Sequence, residues 1–231
     1  MLPSLNVEHI LVLLLQSVVV ALSILTLFRF RKALGMGGLY MLLGLLQVLQ
    51  VLLASSSYFV IASDLMISPG SAVVFSASLF AILLVYIKED VKETRRLVAA
   101  VILINAVLSL LIFLFSINAD ESMGVLSSEL TDVYKHKGLR VVVVGSLALL
   151  FDVVLLLFLY ERLARYIPSL FLRMLLTMMV VLSLDTLAYI SGTFWGEPNY
   201  NRMLLAALIG KNAAAVVYSS LFYLYLRFIE K

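Results

Sequence analysis

Apolar positions in this chain fall into seven long runs, and charge clusters separate them. The runs cover 10–28, 37–62, 69–87, 97–117, 139–160, 168–195 and 203–226. A helix needs about 20 apolar residues to cross the hydrocarbon core of a bilayer. Runs this long and this uncharged predict transmembrane helices, not strands. Pro168 suits the first turn of the sixth helix. The polar stretch 118–138 predicts a short surface helix, with Ser127 or Ser128 as N-cap and Gly138 as its stop. Glu129, Asp132, Lys135 and His136 would form its solvated face. The mixed charges of 88–96 predict a solvated turn or a helix extension. Ser55-Ser56-Ser57 and Ser68-Pro69-Gly70, with Asp64 between, predict a short polar loop, the alternative being a lid over a cavity. The fold expected is all-α: one polytopic seven-helix membrane bundle over residues 1–231.

Composition narrows the function classes. Of 231 residues, 63% are hydrophobic and 13% charged, and mean hydropathy is +1.10. A soluble domain is nearer half apolar and a quarter charged. An ordinary soluble enzyme, a disordered chain and a nucleic-acid binder are therefore excluded. The absence of cysteine removes disulfides and thiol chemistry. Two histidines, His9 and His136, cannot supply the usual zinc sets. No glycine-rich phosphate loop, metal-ligand cluster or nucleophile–base arrangement occurs, so neither enzymatic activity, metal nor cofactor is expected.

Charge placement gives the orientation. Lys and Arg after the first, third, fifth and seventh runs, with Arg173, number 12, against four on the opposite side: Lys135, Lys137, Arg140 and Arg202. Cytoplasmic loops carry the excess of positive charge. The N-terminus is thus expected outside and the C-terminus in the cytoplasm, in the inner (plasma) membrane. A signal peptide is a poor account of the first run, whose head carries Glu8 and no Lys or Arg. Trp195, Tyr200 and Tyr166 fall where an aromatic belt would place them.

Three ionisable residues lie inside runs: Asp152, Asp185 and Lys211. At about 1.5 Å of rise per residue, Asp185 is about 15 Å from Trp195, Lys211 about 13–14 Å from Arg202, and Asp152 about 13–14 Å from Glu161. In a core about 30 Å thick, all three sit near the midplane. A charge there costs about 3 kcal/mol even on lenient insertion scales, so each must face the bundle interior and find a partner. Lys211 with Asp185 is the expected pair, serving either a ligand or ion site or helix register alone. Asp152 would join that cluster, or sit as a protonated acid bonded to a neighbouring helix. Steps of three and four put Tyr40, Gly44, Gln47, Gln50, Ala54 and Ser57 on one face of the second helix. The same spacing aligns Asp185, Tyr189 and Gly192 in the sixth, and Lys211, Ala215, Tyr218, Phe222 and Tyr225 in the seventh. Gln16 and Asn105 add amides to the first and fourth. Small and amide residues also serve as packing glue, and Asn212 is expected to do that. Together these positions predict a polar cavity walled by aromatics, a form suited to small molecules.

Leu184-Asp185-Thr186-Leu187-Ala188-Tyr189, followed by Phe194-Trp195, resembles the "DTLAF…FW" segment of the queuosine-precursor and vitamin uptake transporter (VUT) family. Phe151-Asp152-Val153-Val154 through Glu161-Arg162-Leu163, Gly210-Lys211 with Tyr218, and the helix from Phe75 to Arg96 agree in order and spacing. The resemblance runs from about Ser68 to the C-terminus. One departure stands out: Leu79-Phe80-Ala81-Ile82-Leu83-Leu84-Val85 is wholly apolar, where the transporters carry a polar "ATD" pattern. Part of the transport machinery is therefore expected to be missing. The chain is closest in character to the branch known as the vitamin-uptake-like sensor domain, which precedes cytoplasmic diguanylate cyclase (GGDEF) modules. The resemblance implies a helical bundle with a midplane small-molecule pocket, and carries Asp152, Asp185, Trp195 and Lys211 over as functional positions. It also implies an output module beyond residue 231 and a homodimer, since cyclases work in pairs.

The expected function is a membrane receptor domain. Asp185 and Lys211 would contact polar groups of a small-molecule ligand, Asp152, Gln47 and Gln50 would line the cavity, and Tyr189, Trp195 and Tyr218 would stack on a planar ligand. The alternative is a secondary transporter of a small heteroaromatic compound. A retinal protein fits less well: the third run lacks a carboxylate, Ala207 stands four before Lys211, and there is one tryptophan.

Overall fold

Lipid offers the backbone no hydrogen-bond partners, so a chain of this composition must satisfy its peptide groups within helices. The computed structural model describes residues 6–62, 65–118 and 128–229, and seven of its helices are long and apolar enough to span a membrane. They are α1 (Val7–Arg29), α3 (Gly37–Ser56), α4 (Ser76–Lys88, entered through a π-helical segment, Gly70–Phe75), α5 (Val91–Asn118), α6 (Ser128–Ala164), α7 (Leu170–Phe194) and α8 (Tyr200–Phe228). A one-turn helix, α2 (Arg31–Leu34), follows α1 and ends at Gly35, whose φ of 72° suits glycine. The protein is a multi-pass membrane bundle of helices.

Six helices close a ring in the order α1, α3, α5, α6, α7, α8 and back to α1, and α4 runs through its middle. The span 70–88 is 83% buried, against 22–39% for the other six. Leu79 through Val85 are all fully buried. A helix apolar on every side is one that protein surrounds. The apolar stretch thus has a packing reason: any polar group there would need a partner in a dry core.

The second apolar run is not one helix. It stops at Ser56, and the rest turns into strand β1 (Phe59–Ala62), paired antiparallel with β2 (Leu65–Ile67) in the register Phe59 with Ile67 and Val60 with Met66. A run of 26 residues exceeds what a span needs, and the surplus, with Val60 and Ile61, pairs as a hairpin that suits β-branched residues. The start of α1 latches it. Asn6 N–H donates to Ile61 O at 2.9 Å, His9 Nδ1 lies 2.8 Å from Val60 O, and the His9 ring meets Phe59 edge-on. The polar loop expected here is therefore a structured wall; Ser63 and Asp64 lie outside the described residues.

Two further expectations change. Gly138 does not stop a surface helix but lies inside α6, which runs continuously from Ser128 to Ala164. Ser127 and the side chains of Glu129, Asp132, Lys135 and His136 lie outside the described residues. Pro168 precedes α7 rather than opening it, and Ser169 is the N-cap, its hydroxyl accepting Leu172 N–H at 3.5 Å.

The end away from the hairpin is tied by polar contacts. Arg31 pairs with Glu89 and lies over the Phe28 ring; Tyr40 donates to Glu93 at 2.9 Å; Tyr86 donates to Glu161. Arg29 donates to the Ile229 carbonyl at the end of α8 at 3.2 Å.

Gly70 sets how closely the π segment approaches α3. A Cβ there would lie 2.4 Å from Ala54 N and 2.5 Å from Gln50 O, both backbone atoms that cannot swing away. At Gly210 a Cβ would meet the Ile67 Cγ2 side-chain atom at 2.8 Å. Overpacking of this kind costs about 1–3 kcal/mol. Gly70→Ala is thus expected to lower the Tm in detergent clearly more than Gly210→Ala; equal effects would contradict the close approach of α3 and the π segment.

Candidate functional site

The site is built from three facing elements. Helix α3 brings Gln47 and Gln50 one turn apart on one face, α7 brings Asp185 and Tyr189, and α8 brings Lys211. Lys211 Nζ donates to Asp185 Oδ2, and both side chains are almost fully buried. Phe75, the last residue of the π segment, places its ring 4.6 Å from Lys211 Nζ, within cation–π range. Asp152 on α6 is fully buried, beside Asp185 and within electrostatic reach of Lys211. One cation therefore stands before two acids.

Two adjoining chambers open beside the pair. The inner one, about 200 Å³, is lined by Gln47, Gln50, Asn105, Ser109, Phe75, Asp185 and Lys211, among others. The outer one, about 450 Å³, lies between the hairpin (Val60, Met66), the end of α7 (Ile190, Phe194) and the start of α8 (Asn199, Arg202). Ala54, Tyr58, Ser71, Tyr189, Phe194, Met203 and Lys211 line both, so the two form one bent cavity reaching from the hairpin end to the ion pair. Gly145 of α6 lines the inner chamber, and Gly192 lets α7 pack closely on α6. Tyr189 Cε2 would sit 3.6 Å from a Cβ on Gly145, and a Cβ on Gly192 would lie 2.7 Å from Val144 Cγ1.

The sequence profile of vitamin uptake-like sensors matches residues 21–226. The chain belongs to the vitamin uptake-like sensor family. The matched segment includes Gln47, Gln50, Asp152, Asp185 and Lys211, and so covers the cavity and the ion pair. No curated protein and no solved structure matches the chain.

In this sensor the structure gathers Gln47, Gln50, Asp185, Tyr189 and Lys211 around one cavity. It does not bring the other three expected positions there. Ala148 and Leu149 line the inner chamber from α6, and Asp152, one turn later, is not in the lining but adjoins Asp185. Trp195 is 69% exposed and meets Tyr200 edge-on at 5.4 Å, the place of a membrane-interface aromatic. Tyr218 is fully buried below the ion pair, donating to Val73 O at 3.0 Å and packing on Phe80 and Phe222. Sharing a helix face with Lys211 put it in the core, not in the cavity. Asn212 serves packing, donating to Ser183 Oγ at 3.1 Å across α7 and α8. Sequence reasoning missed Ser71, Ser109 and Phe75. Asn105 and Ser109, four apart on α5, carried a helical-face signal; the position of Phe75 depends on the tertiary fold alone.

The charge count makes a stability prediction. Removing one partner of a buried pair costs about 3–5 kcal/mol. Lys211→Met leaves two acids without a cation and is expected to reach that range. Asp185→Asn leaves Lys211 with Asp152 and is expected to cost less than half as much. The double variant Asp152→Asn with Asp185→Asn strands the lysine and should match Lys211→Met. Melting in detergent checks this; an Asp185→Asn variant as unstable as the double one would remove Asp152 from the cluster.

Proposed function

We propose that this domain is a receptor of the inner (plasma) membrane that binds a small molecule in the bent cavity and signals through α8. The hairpin end faces outward in this reading, and the ends of α1 and α8 meet at the cytoplasmic surface. Its main support is the single helix face running from the site to the far end: Lys211, Ala215, Tyr218, Phe222 and Tyr225, all buried. Tyr225 meets Phe28 of α1 edge-on, and the end of α8 is held by Arg29. A ligand that alters the Lys211 contacts would thus bear on the end of α8. It shifts that equilibrium only by binding two states unequally. A diguanylate cyclase (GGDEF) module after residue 231, and a homodimer to pair two such modules, would complete the output.

Transport of a small heteroaromatic compound is the second reading, with the same cavity. The core below the ion pair, filled by Phe80, Tyr218 and Phe222, favours the receptor, because a carrier needs an opening on the other side.

The chain has no cysteine, and Phe30 and Phe228 are exposed at the cytoplasmic end. Spin labels at Phe30→Cys and Phe228→Cys would report the distance between the α1–α2 turn and the end of α8. Any vitamin, heteroaromatic base or lipid that raises the Tm is expected to shift this distance by about 1–2 Å, the scale of helix shifts in switching proteins. A stabilising compound that leaves the distance unchanged but is taken up by proteoliposomes would favour the carrier. No stabilising compound in such a panel would sink both.

A further inference from the structure

The inner chamber contains one cation, and that cation is already neutralised. Lys211 donates to Asp185, and Asp152 lies within electrostatic reach. Two acids thus stand beside the one cation. A carboxylate or phosphate head entering this chamber would meet acids whose cation is engaged. Coulomb repulsion from these acids opposes the entry of such a head.

The remaining polar wall is neutral: Gln47, Gln50, Asn105, Ser71 and Ser109. Gln47 is 1% exposed and its Nε2 has no acceptor among the described residues; Gln50 Oε1 likewise has no donor. Both side chains line the chamber from one face of α3, three residues apart. A carboxamide carries an acceptor on one side and donors on the other, so two of them offer both kinds whichever way each is turned. Buried polar groups are ordinarily hydrogen-bonded, and those that are not call for an explanation. A ligand edge with C=O beside N–H would satisfy both at once. Beyond it, Val60, Met66, Ile190 and Phe194 give the outer chamber an apolar side that suits an aromatic body, and Arg202 stands at the same chamber, away from the inner end.

We propose that the cavity takes an uncharged compound whose buried end is a carboxamide-like edge, held by Gln47 and Gln50, and that its inner chamber excludes anions. This rests on the receptor reading, since it assumes that the cavity is a ligand site.

The test uses one aromatic body with three heads: 2-naphthamide, 2-naphthoate and 2-naphthylmethylammonium. Each is added to the purified full chain in detergent, and melting is followed. At ten times its Kd, 2-naphthamide is expected to raise the Tm by roughly 3–6 °C, with smaller effects from the other two. The shift should be lost in Gln47→Leu and in Gln50→Leu. Each variant removes an amide with one unpartnered buried atom in favour of an apolar group, so they should melt no lower than wild type without additive. A larger shift with 2-naphthoate or with 2-naphthylmethylammonium would overturn this inference and leave the receptor reading standing. An amide shift that survives in both glutamine variants would overturn the assignment to Gln47 and Gln50. No shift with any of the three at millimolar concentration would overturn the inference and the ligand cavity together.

Discussion

A lysine near the middle of a membrane span must be neutralised where it sits, and the arrangement around the cavity follows from that requirement. The desolvation of an isolated ammonium exceeds the stability of a typical domain. Lys211 can be buried because α7 presents Asp185 at the same depth and the π segment presents the face of Phe75. Those contacts fix α7 and α8 relative to each other and to the entrance of α4. Asp152 adds a second acid beside the pair. A cluster with one positive and two acidic members has more than one way of pairing, and such an element can be biased by a neighbouring ligand.

The rest of the bundle works around this centre. Helix α4 is an apolar axle surrounded by the ring of six helices. It fills the core below the ion pair together with Tyr218 and Phe222. Above the pair, where α3 ends early and the hairpin takes over, the packing opens into the two chambers. The hairpin thus does two things: it removes surplus apolar chain from the end of α3, and it walls the mouth of the cavity. Gly70 and Gly210 let the π segment and β2 approach their neighbours closely enough for this.

Much of this was legible in the sequence. Charges inside lipid-length runs are costly enough to demand partners, and helical rise alone set Asp185 and Lys211 at one depth. Helical periodicity likewise put Gln47 and Gln50 on one face. Other features were not legible, for physical reasons. Lipid and protein core are both apolar, so hydropathy could not tell the central helix from the outer ones, and nothing in the stretch 79–85 marked it as the buried axle. Nor could hydropathy show where helix gives way to hairpin within 37–62. An aromatic at the end of a span looks the same in an interface belt and in a pocket, which is why the sequence offered both places for Trp195. Gly138 is a stop signal only when its helix ends there; α6 continues past it.

The central claim is that a cavity reaches from the hairpin end to a buried ion pair near the midplane. Thiol reactivity tests it most directly, because the chain has no cysteine of its own. Ser71 lines both chambers, whereas Ala215 lies one turn beyond Lys211 and is fully buried. A small water-soluble methanethiosulfonate reagent is expected to modify Ser71→Cys at least tenfold faster than Ala215→Cys, a ratio equivalent to about 1.4 kcal/mol in the barrier. Equal and negligible reactivity at the two positions would mean that no such cavity reaches the ion pair.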